Sequence, residues 1–260
     1  MPATALEYLA ASSVRPDVLA VLREHGLLSL RDLTDHVSAS RRTVKRTLSA
    51  MESRGWVRKV NGGYELTALG ETLLSAYERF RERSRVAIRL RPVLEHVPAS
   101  MFDFDIEALA DATVVAPDDD PAAFADRMVA LRADATRIRE YAPFLVLDSV
   151  RQLARHVENG QPAPETTVVV RTDAPPQSSP EYRERFGTLV DAPGVDIRRY
   201  PDGPMLGFGI VDGRAFLGAA ADDGMPCFLL ESEASELVSW VDRQFENCLA
   251  AAEPLSDEWS

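Results

Sequence analysis

Between Arg41 and Lys59 the sequence carries seven basic residues and a single acid, Glu52. At 100° per residue, Arg41, Arg42, Lys45, Arg46 and Ser49 fall in one helical sector about 140° wide, and Val44, Leu48 and Met51 fall in a separate sector of about 60°. Guanidinium forks pair with guanine edges and phosphates, and hydroxyls contact either, so this layout suits groove reading and makes no covalent chemistry. Ser40 and Thr43 stand at the start of that stretch, and Arg58, Lys59 and Asn61 follow at the tip of a short hairpin. The candidate DNA contacts are therefore Ser40, Arg41, Arg42, Thr43, Lys45, Arg46, Ser49, Arg58, Lys59 and Asn61. A solvated basic face is the competing reading; it loses ground because the flanking elements are placed as a DNA-binding module needs them.

Those elements begin with a short helix opened by Pro16, with Val18, Leu19, Val21 and Leu22 as its apolar face and Gly26 at its end. Ser29 caps a second helix with Asp32 in capping-box spacing, and Leu30, Leu33 and Val37 share one face. The polar turn Ser38-Ala39-Ser40 leads into the basic helix, which Gly55 ends. Two short helices joined by such a turn form a helix-turn-helix pattern. After Gly55 the period changes: Trp56 to Val60, then Asn61-Gly62-Gly63, then Tyr64 to Leu66 predict a hairpin with a glycine-rich loop. Trp56 and Tyr64 are expected to anchor it to the helices.

The phrase Ser38-Ala39-Ser40-Arg41-Arg42-Thr43-Val44, with Leu48 and Met51-Glu52-Ser53-Arg54-Gly55-Trp56-Val57 behind it, resembles the winged-helix heads of bacterial and archaeal regulators. The resemblance covers roughly residues 14–70. It implies three helices plus a β-hairpin, with double-stranded DNA as the partner.

Taken alone, the net charge of −12 opposes binding to a polyanion, but its distribution reverses that inference. Residues 1–95 carry a balance of +5, and residues 96–260 carry −17. Such asymmetry suits a nucleic-acid-binding head on an acidic body. Only Lys45 and Lys59 are lysines, and both lie in the head. An acidic, lysine-free body fits a halophilic, salt-rich cytoplasm in which self-repulsion is screened; a GC-rich genome that replaces Lys by Arg gives the same composition. Two cysteines, Cys227 and Cys248, are too few for a disulfide framework or a cysteine-rich zinc site. They stay open between a redox switch and two small apolar residues. With no basic segment leading into an apolar run in Met1–Ser13, and no membrane-spanning stretch, a reducing, cytoplasmic setting is expected.

Thr67 caps a long helix predicted from Ala68 to about Arg91. Leu73, Ala76, Phe80, Ala87, Leu90 and Leu94 alternate by threes and fours along it, as expected of a helix that pairs with its twin or packs on its own second domain. Arg79, Arg81, Arg83 and Arg85 suit neither one face nor a groove and are expected to be solvated. The organisation expected is a head over 1–70, a connecting or dimerisation helix over 71–100, and an α/β body over 101–260.

In the body, Ala112–Ala116 predicts a strand and Ala122 to about Tyr141 a helix, with Asp118–Asp120 between them as an acidic loop. Helices are expected over Asp148–Val157 and Pro180–Leu189, with strands over Thr167–Arg171 and Val195–Tyr200. Strands at Leu206–Val211, Ala215–Ala219 and Cys227–Glu231 are joined at Asp212-Gly213 and Asp223-Gly224, dipeptides that favour tight hairpins. A closing helix over Ser232–Ala251 carries Leu237, Val238, Trp240, Val241, Phe245 and Leu249. The fold class is α+β with a mixed sheet in the body.

The run Leu206-Gly207-Phe208-Gly209-Ile210-Val211-Asp212-Gly213-Arg214-Ala215-Phe216-Leu217-Gly218, with Trp240 behind it, resembles the sensor domain of archaeal winged-helix regulators. These are the methanogenesis-regulator (filament-type) family and, more distantly, the sugar-responsive TrmB family. The resemblance implies a sheet like that of phospholipase D without its active site, homodimers on promoters, and a small-molecule effector such as a metabolite or sugar.

Other chemistry falls on residue grounds. None of the histidines at 25, 36, 96 and 156 begins the His-x-Lys of a working phospholipase D, and no zinc-deaminase spacing, P-loop, dinucleotide fingerprint or Gly-x-Ser-x-Gly occurs. No enzyme, cofactor, metal site or membrane association is expected. The expectation is a sequence-specific DNA-binding transcription regulator, a homodimer whose C-terminal domain senses a metabolite. The alternative is a regulator whose C-terminal domain only dimerises or recruits a protein.

Overall fold

A computed structural model describes residues 4–116, 123–143, 145, 147–158, 164–171, 179–220 and 226–255. The chain divides into two compact units, Met1–Arg85 and Val86–Ser260.

The first unit contains α1 (Ala5–Ala10), α2 (Val14–His25), α3 (Leu30–His36), α4 (Arg41–Glu52), β1 (Val57–Val60), β2 (Gly63–Leu66) and most of α5 (Ala68–Arg89). Local chemistry sets most of these boundaries. Ser29 and Asp32 form a reciprocal capping box on α3, and Ser40 caps α4 by accepting from the Thr43 amide at 3.2 Å. Helix α2 starts two residues ahead of Pro16, which lies in its first turn where a missing N–H is harmless. Asn61 and Gly62 have φ of 48° and 82°, so the wing turns in two residues of the type favoured by strand twist. Leu28 also exchanges both backbone hydrogen bonds with Tyr64, at 3.0 and 2.8 Å, which adds a one-residue third strand to the hairpin. The core consists of Val18, Leu19, Leu22, Leu33, Val44, Leu48, Met51 and Trp56 with Leu74 of α5. Trp56 is anchored as expected, and its ring meets Tyr8 edge-on at 5.3 Å.

The second unit begins at the end of α5 and continues with α6 (Arg91–Leu94), two 3-10 turns (Ala99–Met101 and Ile106–Leu109) and β3 (Thr113–Val115). After these come α7 (Ala123–Arg132), β4 (Arg137–Ala142), α8 (Leu147–Glu158), β5 (Glu165–Val170), α9 (Pro180–Val190) and β6 (Val195–Arg199). It closes with β7 (Leu206–Val211), β8 (Arg214–Ala220), β9 (Pro226–Ser232), α10 (Ser235–Ala251) and β10 (Glu253–Pro254). One eight-stranded sheet runs β10-β6-β5-β4-β7-β8-β9-β3. Strands β4, β5 and β6 are parallel, joined through α8 and α9, while β7, β8 and β9 form an antiparallel meander. The fold is mixed α+β, as expected.

Strand alternation divides the body core in two. Phe208, Leu217, Phe228 and Leu230 face α10, where they meet Trp240, Val241 and Phe245. Ile138, Val168, Val211, Phe216 and Leu229 face the other way, against Met128, Leu153, Tyr182 and Phe186 of α7, α8 and α9. Trp240 lies against the sheet, and its indole N–H donates to the Met101 carbonyl at 3.2 Å.

The segment expected as one helix from Ala122 to Tyr141 divides instead. Helix α7 ends at Arg132, and β4 takes an inner place in the sheet. Charged residues are tolerated there because each finds a partner. Arg139 pairs with Asp242 and Glu246 on one face, and Glu140 pairs with Arg132 on the other. The expected apolar stripe on α5 also divides. Leu73 packs on the first core and Ala87, Leu90 and Leu94 on the second, while Ala76 and Phe80 stay exposed. The free face of that helix is thus smaller than the spacing predicts. The Asp212-Gly213 turn forms, with φ of 47° and 86°. Asp223-Gly224 and Asp118–Asp120 lie outside the described residues.

Candidate nucleic-acid interface

Helix α4 is held by one side and presents the other. Val44, Leu48 and Met51 are wholly buried, while Arg41, Arg42, Lys45, Arg46 and Ser49 are exposed. Among the described residues these four cations make no ion pair or side-chain hydrogen bond. That is unusual in a molecule whose other arginines so often find carboxylates. The first turn of α4 contains no acid and two arginines. Cations at the positive end of a helix are unfavourable by about 0.3–1 kcal/mol, and an approaching anion relieves that cost.

The remaining predicted contacts are less free. Ser40 is exposed, but its hydroxyl caps α4 and lies 3.0 Å from the Thr43 hydroxyl, and Thr43 is half-buried. On the wing, Arg58 is exposed but held by Glu65, its partner across the hairpin. Lys59 extends over the Tyr64 ring at 5.9 Å, and Asn61 forms the tip. The ten residues therefore belong to two adjoining elements of one unit, with α4 contributing the unpaired charge.

Sequence reasoning passed over Arg31, which is exposed in the first turn of α3. The Ser29 cap was the available signal, because in a helix-turn-helix the first helix crosses the phosphate backbone. It also passed over α1, whose Tyr8 ring carries the guanidinium groups of Arg15 and Arg54 at 4.0 and 4.2 Å from its centre. Arg54 therefore serves the fold and not the exposed face. In the body, burial pushes the Cys248 thiol up to about 11, so the thiolate is scarce at neutral pH. Among the described residues, no group of three or more His, Cys, Asp or Glu is placed to hold a metal ion, and no helix is long and apolar enough to cross a membrane.

Residues 121–251 match the family model of the middle domain of the methanogenesis regulatory protein FilR1. The chain belongs to the FilR1 middle-domain family. Residues 3–89 match a second family model, the HVO_A0261 N-terminal domain. A FilR1 middle-domain body joined to this head places the chain among regulatory proteins. Solved structures similar to this FilR1-family chain include TrmBL2, an archaeal chromatin protein, at 13% identity, covering 96% of this chain and 98% of that one with a TM-score of 0.40. HmgR of Pseudomonas aeruginosa is similar at 14% identity over 92% and 98% of the two chains, TM-score 0.25. An IclR-family protein from Rhodococcus sp. is similar at 14% over 98% and 99%, TM-score 0.22. No curated protein matches the chain.

Proposed function

We propose that this FilR1-family chain is a sequence-specific transcription regulator that binds double-stranded DNA as a homodimer, with α4 in the major groove and the Arg58–Asn61 tip of the wing on the flanking backbone. The observation that carries the reading is the α4 face of four unpaired cations and Ser49, backed by residues with no solvent exposure. Arg31 at the start of α3 adds a backbone contact. A single head covers too few base pairs for useful specificity, so pairing of two chains supplies the rest. Leu69 and Phe80 support pairing: they are 50% and 53% exposed and lie within about 20° of one line along α5. The body, with its acidic surface and FilR1 fold, is the sensing part, shifting the population of DNA-competent dimers when a small molecule binds.

Selection of sites from a random duplex library by the purified chain tests this. The expected product is a two-fold symmetric sequence whose half-sites are one helical turn apart, about 10–10.5 base pairs, or a multiple of it. Recovery of duplexes with no enriched sequence would remove the specific-regulator reading.

A further inference from the structure

A cavity of about 310 Å3 opens on the face of the body sheet covered by α7 and α8. Two glycines form part of its floor. Gly207 of β7 and Gly218 of β8 are direct partners across the sheet, so two adjacent side chains are missing from the same spot. Phe124, Met128, Phe216 and Leu229 give apolar walls. The polar end is one buried ion pair. Arg132 and Glu140 are 5% and 1% exposed and meet at 2.6 Å, and Arg132 also donates to the Ser149 hydroxyl at 3.0 Å.

The pair is incompletely satisfied. Glu140 Oε1 and Arg132 Nε are buried and have no hydrogen-bond partner among the described residues, and both residues are among those that line the cavity. Buried charges that lack their full set of hydrogen bonds are costly, and a ligand able to complete the set is held correspondingly well. An apolar chamber with one such polar point has the make-up of a small-molecule site, at the small end of the usual range of about 300–1,000 Å3. The charge balance narrows the ligand class. Glu140 already neutralises Arg132, and the Asp148 carboxylate among the lining residues is itself paired with Arg151 at 3.0 Å, so the cavity offers an anion no uncompensated cation.

We propose that this cavity is the effector site and that it takes a small, neutral, mostly apolar molecule through a single hydroxyl or amide. The hydrogen of that group goes to Glu140 Oε1, and its oxygen accepts from Arg132 Nε–H. This rests on the reading of the body as a sensor, and it assigns that sensor a place and a ligand chemistry.

Thermal unfolding of the full chain tests it with cyclohexanol, benzyl alcohol and ε-caprolactam as probes, cyclohexanecarboxylate and benzoate as matched anions, and a polar metabolite mixture as a second set. The neutral probes, at about ten times their Kd, raise Tm by about 3–6 °C and the carboxylates do not. Ala142→Leu, which fills the cavity beside the intact ion pair, abolishes the shift. Glu140→Gln weakens binding at least about tenfold. Equal shifts by the carboxylates, or shifts by the neutral probes that persist in Ala142→Leu, overturn the site. A metabolite shift equal in wild type and Ala142→Leu, with no response to the neutral probes, overturns the site while leaving the sensor reading standing. No shift of the wild type by either set overturns both.

Discussion

The position of each cation around α4 assigns it a different contact, and Lys45→Gln separates them. Measured from Val44 at 100° per residue, the buried residues Val44, Thr47, Leu48 and Met51 span about −60° to +40°, so the outward crest lies near 170°. Ser49, Arg42 and Arg46 lie at about 140°, 160° and 200°, toward the groove floor in the proposed binding mode, whereas Lys45 at about 100° and Arg41 at about 60° point toward its walls. A wall cation neutralises a phosphate and releases counterion, contributing about 0.9 to the slope of log affinity against log salt. In a homodimer Lys45 appears twice, so Lys45→Gln lowers the slope by about 1.8. Between 0.1 and 0.4 M salt, a fourfold change, the deficit of the variant shrinks by about twelvefold; a single bound head gives only about 3.5-fold. Fluorescence anisotropy of a labelled duplex carrying the selected site, titrated at four salt concentrations, reads this directly. Parallel lines for the two proteins refute the placement of Lys45 against the backbone. A slope change near 0.9 refutes the dimer.

Arg42→Ala on the crest lowers affinity for the selected site by about 1–3 kcal/mol per head and hardly changes affinity for unrelated duplex; equal losses on both in the same anisotropy assay contradict base reading. Gly70→Ala places a Cβ 2.1 Å from the Trp56 carbonyl oxygen, so it destabilises the first unit by about 1–3 kcal/mol, whereas Gly187→Ala in α9 meets nothing within 4 Å and is neutral or stabilising by up to about 1 kcal/mol; thermal melting by circular dichroism compares them. Arg132→Met leaves the Glu140 carboxylate buried without its cation and lowers stability by about 3–5 kcal/mol, and Arg132→Met combined with Glu140→Leu recovers most of that in urea unfolding. The Asp212 carboxylate is held below its ordinary range, first by the Thr136 amide and then by the Thr136 hydroxyl and Arg137 amide. A depressed folded pKa gives stability that is present above the unfolded value and lost as pH falls through the folded one. Asp212→Asn, which tolerates the same turn, therefore melts below wild type at pH 6, and the gap closes in acid below the ordinary aspartate range; a gap constant with pH would contradict the linkage.

The head was legible in the sequence because its determinants are local. Ser29 with Asp32, Ser40 with Thr43, and Asn61 with Gly62 act within three residues of one another, and the apolar spacing of α4 declares its inner side without reference to other elements. The third strand on the hairpin was hidden, since Leu28 contributes one residue and has no period to betray it. The body was less legible for the opposite reason. Arg137 to Ala142 reads as polar helix until Asp242, more than a hundred residues away, takes the charge of Arg139. The cavity escaped notice because its floor is made by absent side chains, and glycines in a strand carry no hydropathy signal. On α5 the threes-and-fours spacing was real, but it served two cores of one chain as well as any twin.

Tyr8 joins α1 to the base of the wing, with its ring against Trp56 and two guanidinium groups over it. A fragment cut at the tidy boundary before α2 would keep every proposed DNA contact and yet lose the clasp that steadies Trp56, Arg15 and Arg54. Workers who trim the protein for crystallisation, or graft its reading head onto another body, should therefore begin ahead of residue 4 and treat the opening helix as part of the tool.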